Sequence, residues 1–389
     1  MAYTAEQWSS YYRALRKPFV KLARLRFLNP DGSTAFWLDN NPHNRNSRAF
    51  IADGSLSVSL QNGTRRTAGI RLENTDGQFD YNVNHLWFGT QVALDEGLIL
   101  PDGTEFYLPQ GVFYLTSPKQ TLNPNERSMS YTLTDKWAGI DGTICGKLEA
   151  SYIVNEGVNI FSPMASLLLT DRGDGNAYDS VTPVFTDYYN GKTQLLPDGT
   201  TAPLTNTPYT MTIDSEDGSI GDVELELASM LNAWIGYDAS GRLRVEPSQD
   251  DLLDAEKPIS WRFGMNEAQV LGLAYDSKIA DVVNDYIVIG MMANDYSQPA
   301  ARVQNLDPKS DVNVRLIGRR TKRESRAEFA TYTICKDYAE WMLKRQAVLH
   351  KAVSVEASQI FHLEENTLIE IVRTDKQSAP IERDRKSVV

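Results

Sequence analysis

Apolar and polar positions alternate in short runs through the first third of the chain, and each run is closed by Gly, Pro, Asn or Asp. Val92 and Leu94 alternate with polar neighbours, Phe106 and Leu108 do the same, and residues 112–115 form a brief apolar run. A two-residue period bounded by breakers predicts half-buried strands. The same grammar predicts strands at 19–28 and 34–38, a polar loop at 39–48, and a hairpin of 56–60 with 68–72 turned at Asn62-Gly63. In Leu100-Pro101-Asp102-Gly103-Thr104, Pro presets φ, Asp bonds its own backbone, and Gly accepts the positive φ that returns the chain. Pro-Asp-Gly-Thr recurs at 197–200, and Pro30-Asp31-Gly32-Ser33 is a near copy. A repeated ligand loop is conceivable, but hairpin turns account for all three. Up to Trp137 the pattern is nearly all β, which favours a barrel or sandwich over a parallel sheet.

Helical spacing enters at two places. Thr4 and Gln7 fit a capping box ahead of Trp8, Tyr11, Tyr12 and Leu15, which share one face before Pro18. That aromatic stripe is expected to pack on its own domain, with a neighbouring subunit as the alternative. Beyond Cys145 the chain predicts a helix at 158–169, a Gly- and Asp-rich loop at 171–179, a helix at 219–234 and a strand at 242–245. After Trp261 it predicts strands at 270–275, 285–291, 312–317, 353–357 and 367–373, with a helix at 333–349. The expected fold class is mainly β with an α+β insertion. The regions are a first tube-type β-barrel domain with its N-terminal helix at 1–146, an inserted α+β domain at 147–261, and a second tube-type β domain with one long helix at 262–389. Residues 367–373 and the turn at 376–380 leave half a hairpin. Residues 384–389 resemble one reading frame of a sequencing-library adapter, so the expectation is a truncated gene with a tail that packs on nothing.

The order of Trp87-Phe88-Gly89, Leu-Pro-Asp-Gly-Thr and Pro109-Gln110-Gly111-Val112-Phe113 resembles the hub proteins at the tail tip or baseplate of tailed bacteriophages and prophages. Asp135-Lys136-Trp137, Tyr188-Tyr189-Asn190, Asn206-Thr207-Pro208-Tyr209 and Trp234-Ile235-Gly236-Tyr237 continue the likeness. So do Val283-Asn284-Asp285, Gln304-Asn305-Leu306-Asp307-Pro308 and Leu316-Ile317-Gly318-Arg319-Arg320. The likeness spans nearly the whole chain, and each motif is a packing or turn signature. It implies a ring of tube-type β domains between the tail tube and the distal fibre, spike or lysin components. A threefold ring with two such domains per chain would match a sixfold tube, so a homotrimer is expected. A hexameric distal tail ring protein and a tail-associated cell-wall hydrolase are the alternatives. The expected location is the virion tail, assembled in the bacterial host cytoplasm.

Composition bears on partners. The chain has 389 residues, 41% hydrophobic and 10% aromatic, enough for two or three cored domains. No apolar run approaches the roughly 20 residues of a membrane span, and the N-terminus predicts no signal peptide, so no membrane insertion by this chain is expected. A net charge of −12 argues against tight sequence-independent nucleic-acid binding and suits a wall past which DNA slides. The charge is blocky: residues 13–26 and 315–326 each hold six bases, whereas 214–226 carries six acids and no base. Such blocks are solvated faces or complementary contacts between ring subunits.

Chemical motifs are sparse. His43, His85, His350 and His362 have no metal-ligand spacing, and serine-hydrolase, phosphate-loop and dinucleotide fingerprints are missing. No catalytic, cofactor-binding or metal residues are therefore assigned, and no cofactor is expected. Asp250, Asp251, Asp254 and Glu256 could supply a glycosidase pair, but 51 acidic residues offer such pairs by chance. Asp171-Arg172-Gly173-Asp174-Gly175-Asn176 approaches a calcium loop yet lacks the Gly at its sixth position and the closing Glu, so a flexible acidic loop is expected. Its Arg-Gly-Asp tripeptide is short enough to arise by chance. Asn62-Gly63-Thr64 is a sequon expected to go unmodified. Cys145 and Cys335 are read as small buried residues, and Trp87, Trp137, Trp234, Trp261 and Trp341 as mostly core.

Overall fold

The two-residue period becomes a seven-stranded antiparallel sheet in the computed structural model. The structure describes residues 3–41, 51–80, 89–124, 126–196, 199–247, 259–264, 270–276, 282–292, 297–327, 329–347, 352–365, 367–374 and 380–387. The strands are β1 (Lys21–Leu28), β2 (Thr34–Asp39), β3 (Ile51–Val58), β4 (Arg66–Glu73), β5 (Gln91–Ile99), β6 (Glu105–Asn123) and β7 (Glu126–Asp135). They lie in the order β2-β1-β5-β6-β7-β4-β3. Register decides which residues meet. Leu25 lies opposite Leu94, Val92 opposite Phe113, Leu115 opposite Leu133, and Leu72 opposite Met129, all in one core. Each such large side chain contributes about 1.5–3 kcal/mol by leaving water. Among the described residues the outer edges of β2 and β3 pair with nothing, so the expected barrel closure is not seen.

The repeated turn is one structure used three times. Leu100 N–H donates to Thr104 O at 2.8 Å and Gly103 N–H to Leu100 O at 2.9 Å, with Gly103 at φ +87° and Asp102 accepting from Thr104 N–H. Asn29 to Ser33 repeats every one of these bonds, and Leu196 to Thr200 repeats the two backbone closures. The motif therefore closes hairpins β1/β2 and β5/β6, and also the pair β10 (Thr193–Leu195) and β11 (Thr201–Pro203).

The second module surrounds α2 (Phe161–Leu168) and α3 (Ile220–Met230). Its strands are β8 (Tyr152–Val154), paired with β12 (Met211–Ile213), and β9 (Val184–Phe185), β13 (Ala233–Tyr237) and β14 (Leu243–Pro247) in the order β13-β14-β9. Ser219 and Asp222 form a capping box, as the sequence permits. The expected helix through Trp234 is shorter than its apolar stripe. Asn232 takes φ +49°, a left-handed residue of the kind that ends helices, and Trp234 falls on β13.

The C-terminal third holds two cores. β15 (Ile259–Gly264), β21 (Leu368–Thr374) and β22 (Pro380–Ser387) form one sheet, and β16 (Val270–Asp276) pairs with β20 (Ala352–Ala357). Trp261, Phe263, Ile369 and Ile371 share a core with Tyr11 and Leu15 of helix α1 (Ala5–Ala14). Between these strands lies β18-β17-β19, made of β17 (Asp285–Ile289), β18 (Ala300–Gln304) and β19 (Thr321–Ser325), packed on helix α5 (Tyr332–Gln346). Two expectations fail here. Residues 314–317 are a helical turn, α4 (Val314–Ile317), because the Asn313 side chain accepts from Arg315 N–H at 2.7 Å and caps it. The tail expected to pack on nothing runs antiparallel to β21, with Ile371 opposite Asp384 and Leu368 opposite Ser387. Backbone pairing is indifferent to side-chain type, so a charged strand can still complete the ladder of β21.

Candidate functional site

Four charged residues occupy the place where the modules meet, of which the sequence singled out only Asp135 and Lys136, as part of a packing motif, and neither Arg65 nor Arg66. β4 and β7 are antiparallel neighbours, so the start of one adjoins the end of the other and Arg65-Arg66 lies beside Asp135-Lys136. All four are at most 5% exposed. The Asp135 carboxylate accepts from the backbone N–H groups of Arg65 (2.8 Å), Arg66 (3.0 Å) and Trp137 (3.2 Å). Burial nevertheless pushes its pKa up to about 6 against those donors. Lys136 reaches into the second module, with Nζ 2.6 Å from Asp179 Oδ2 and 3.1 Å from Gly241 O, above the Tyr237 ring. Burial lowers its pKa and Asp179 opposes that shift. Arg66 pairs with Glu365 at 2.5 Å and donates to Gln110 O at 3.1 Å, while Arg65 stands 3.4 Å from Glu246 and 3.7 Å from Glu365.

Local backbone features build this junction. A bulge in the β5/β6 pairing leaves Gln110 without a partner residue and re-aims its side chain to donate to Phe361 O at 2.9 Å. Gly236 sits against Arg65, where an added Cβ would fall 2.4 Å from Nε, and Gly241 at φ +73° sits equally close to Val112. Asn62-Gly63 is not the tip of a tight hairpin. The connection from Val58 to Arg66 is wide, and Asn62 Oδ1 accepts from Ile235 N–H (2.9 Å) while Gly63 N–H donates to Ile235 O (3.0 Å). Helix α1 ties the ends of the chain together. Tyr11 stacks on Phe106 at 4.7 Å, and its hydroxyl meets His362 Nδ1 at 3.0 Å, so the aromatic stripe packs within its own chain.

A cleft of about 560 Å³ opens beside the junction, lined by Asp31, Gln91, Tyr114, Cys145, Arg172 and Asp179 among others. Its charges are spent internally. Arg172 holds Asp174 through Nε (2.9 Å) and Nη2 (2.6 Å), and Asp171 Oδ1 takes the N–H groups of Gly173 (2.8 Å) and Gly175 (3.0 Å). The segment expected to be a flexible acidic loop is thus an internally bonded turn, and the Arg and Asp of its Arg-Gly-Asp face each other. Among the described residues no group of three or more His, Cys, Asp and Glu could hold a metal ion, and no helix is long and apolar enough to cross a membrane. Cys335 is buried, which pushes its thiol up to about 11, whereas Cys145 is only half-buried. Trp137 and Trp261 are core residues, and the half-buried Trp234 and Trp341 meet edge to face. Trp87, His43, His85, His350 and the carboxylates Asp250, Asp251, Asp254 and Glu256 lie outside the described residues.

Comparison with solved structures decides the architecture. The tail protein of Neisseria meningitidis MC58 superposes with a TM-score of 0.54 at 7% identity, covering 95% of this chain and 97% of that one. The 43 kDa tail protein of prophage MuSo2 from Shewanella oneidensis gives 0.54 at 11% identity, covering 93% and 91%. The chain has the fold of prophage tail proteins. Prophage tail protein gp18 of Listeria monocytogenes EGD-e adds a third case, with a TM-score of 0.50 at 9% identity over 95% of this chain and 89% of that one. No protein-family model and no curated protein matches the chain. At 7 to 11% identity the likeness lives in topology, which is why short colinear turn motifs carried the signal.

Proposed function

We propose that this chain is a structural hub of a phage or phage-like tail tip or baseplate, and that it works by shape and not by bond-making chemistry. The observation that carries this reading is the tail-protein fold, matched across nearly the full length of both partners. The buried junction supports it. Breaking one partner of a buried ion pair costs about 3–5 kcal/mol, so Lys136–Asp179 and Arg66–Glu365 hold the modules in one mutual orientation, as a load-transmitting part requires. The first sheet supports it too, because among the described residues the outer edges of β2 and β3 are unpaired, and β2 exposes Phe36 (40%) and Trp37 (52%). In this reading the chain forms a threefold ring, joins the tail tube or its distal protein on one side and fibre, spike or lysin parts on the other, and lets DNA pass without tight binding.

The test is co-expression with the adjoining tail components, followed by cryo-electron microscopy of the particles. Three copies at the tail tip are expected. Absence from assembled tails would defeat the reading, and six copies in a ring above the tip would transfer it to the distal tail ring class.

A further inference from the structure

In a chain of net charge −12, residues 302–326 hold eight bases against three acids. The structure sorts them into used and unused. Arg302 pairs with Asp285 at 2.7 Å, Arg326 with Glu324 at 2.7 Å, and Arg320 donates to Val282 O at 2.9 Å. Arg315, Arg319 and Arg323 are exposed and carry no ion pair among the described residues, and Lys322 is exposed above the Tyr286 ring. Leu316, 69% exposed, stands on the same turn. β19, which bears Lys322 and Arg323, is an edge strand whose outer side pairs with nothing among the described residues. Arginine is enriched at protein interfaces, and an exposed leucine beside three such residues suits a docking surface.

The second module carries the complement. Of the six acids at 214–226, Asp222 is spent on the cap of α3, Glu224 is buried, and Glu226 accepts from Tyr209. Asp214, Glu216 and Asp217 remain exposed on one turn. Lys147, the nearby cation, donates to the Asp217 backbone carbonyl and leaves the carboxylate uncompensated. Ile153 is 59% exposed on β8, beside this turn. Each surface therefore pairs three like charges with an exposed aliphatic side chain, and the two lie on different modules.

We propose that the Arg315–Arg319–Arg323 surface docks on the Asp214–Glu216–Asp217 turn of a second copy of this chain. Because the two surfaces differ, the contact is head to tail and closes into a ring when the rotation allows. Opposite charge steers the encounter and fixes the partner. The inference deepens the hub reading and rests on it.

Sedimentation velocity across a concentration series tests it, at about 0.01 M salt, where screening extends about 30 Å, and at about 0.15 M, where it extends about 8 Å. Wild-type chains should associate, and more weakly at the higher salt. R315E/R319E/R323E and D214K/E216K/D217K should each associate at least roughly tenfold more weakly, and their equimolar mixture should recover association as mixed pairs, because each contact between unlike variants is again complementary, although strict alternation cannot close a ring of three. Single R319E and E216K variants should follow at smaller amplitude and guard against misfolding of the triples. A monomeric wild type, unaffected variants, or a mixture that does not recover would overturn the interface. Charge-reversed chains that self-associate normally and still enter tails would sink this contact and leave the tail role standing, whereas a monomer that is also absent from tails would sink both.

Discussion

Replacing Glu224 with Leu should stabilise the second module, by an amount that grows with pH. Glu224 lies on α3 within the apolar core, 0% exposed, and neither carboxyl oxygen has a hydrogen-bond partner. Burial alone raises its pKa well above the ordinary 4.5. The folded chain therefore keeps a proton that the unfolded chain releases above that value, and stability falls as pH rises, by about 1.4 kcal/mol per unit, until the folded group itself ionises. Two and a half units separate 4.5 from neutrality, so protonation costs up to about 3 kcal/mol at pH 7. Leaving a buried polar group unpaired costs a further 1–3 kcal/mol or so at any pH. Glu224→Leu, close in volume, should then gain about 1–3 kcal/mol at pH 4.5 and up to about 3 kcal/mol more at pH 7. Glu224→Gln isolates the proton contribution, because it stays polar but cannot ionise. Urea unfolding between pH 4.5 and 7.5, with hydrogen exchange of peptides covering α3 to localise the effect, measures both. If Glu224→Gln and wild type fall in parallel as pH rises, the carboxyl is not held protonated and the argument is wrong.

At the junction, Asp179→Ala should destabilise by about 3–5 kcal/mol by stranding Lys136, whereas Lys136→Met with Asp179→Leu should come close to wild type; a double-mutant cycle of unfolding free energies reads the coupling. Gly236→Ala should cost about 1–3 kcal/mol, since the added methyl displaces the Arg65 guanidinium, and Arg65→Ala in the same chain should remove most of that penalty in thermal melts. Tyr11→Ala should loosen both ends of the chain together, by about 3–5 kcal/mol, visible as faster exchange in α1 and in the peptide carrying His362; faster exchange in α1 alone would refute the shared core.

What the sequence made legible was local. Strand alternation around 92–115, the thrice-used Pro-Asp-Gly turn and the capping box of Thr4 and Gln7 each depend on a few neighbouring residues, and each appears in the structure where its pattern lies. The structure departs from the sequence pattern where a specific contact, distant or local, sets the backbone. Asn62-Gly63 has the composition of a hairpin tip, but both residues bond to Ile235, far along the chain. Residues 312–317 look apolar enough for a strand, yet the Asn313 side chain captures the next turn. The tail expected to pack on nothing pairs with β21, because backbone donors and acceptors complete a ladder whatever the side chains are. The junction left one faint trace, two charged dipeptides abutting apolar strand runs, and a charged pair there reads equally well as a solvated strand end until the strands are placed side by side.

The two families of charge in this molecule do opposite work, and burial separates them. Arg65, Arg66, Asp135 and Lys136 have left water, so their partners had to be supplied within the chain, and they were: Glu246, Glu365 and Asp179 come from other modules, and backbone donors complete Asp135. Arg315, Arg319 and Arg323 stay in water, and none of them is paired with an acid among the described residues. Desolvating the first group made partners obligatory, because a buried charge left unpaired is strongly destabilising. Leaving the second group solvated keeps the cost of an unpaired state low. If the proposed contact holds, the buried pairs set the arrangement within one chain and the exposed charges set the contact between chains.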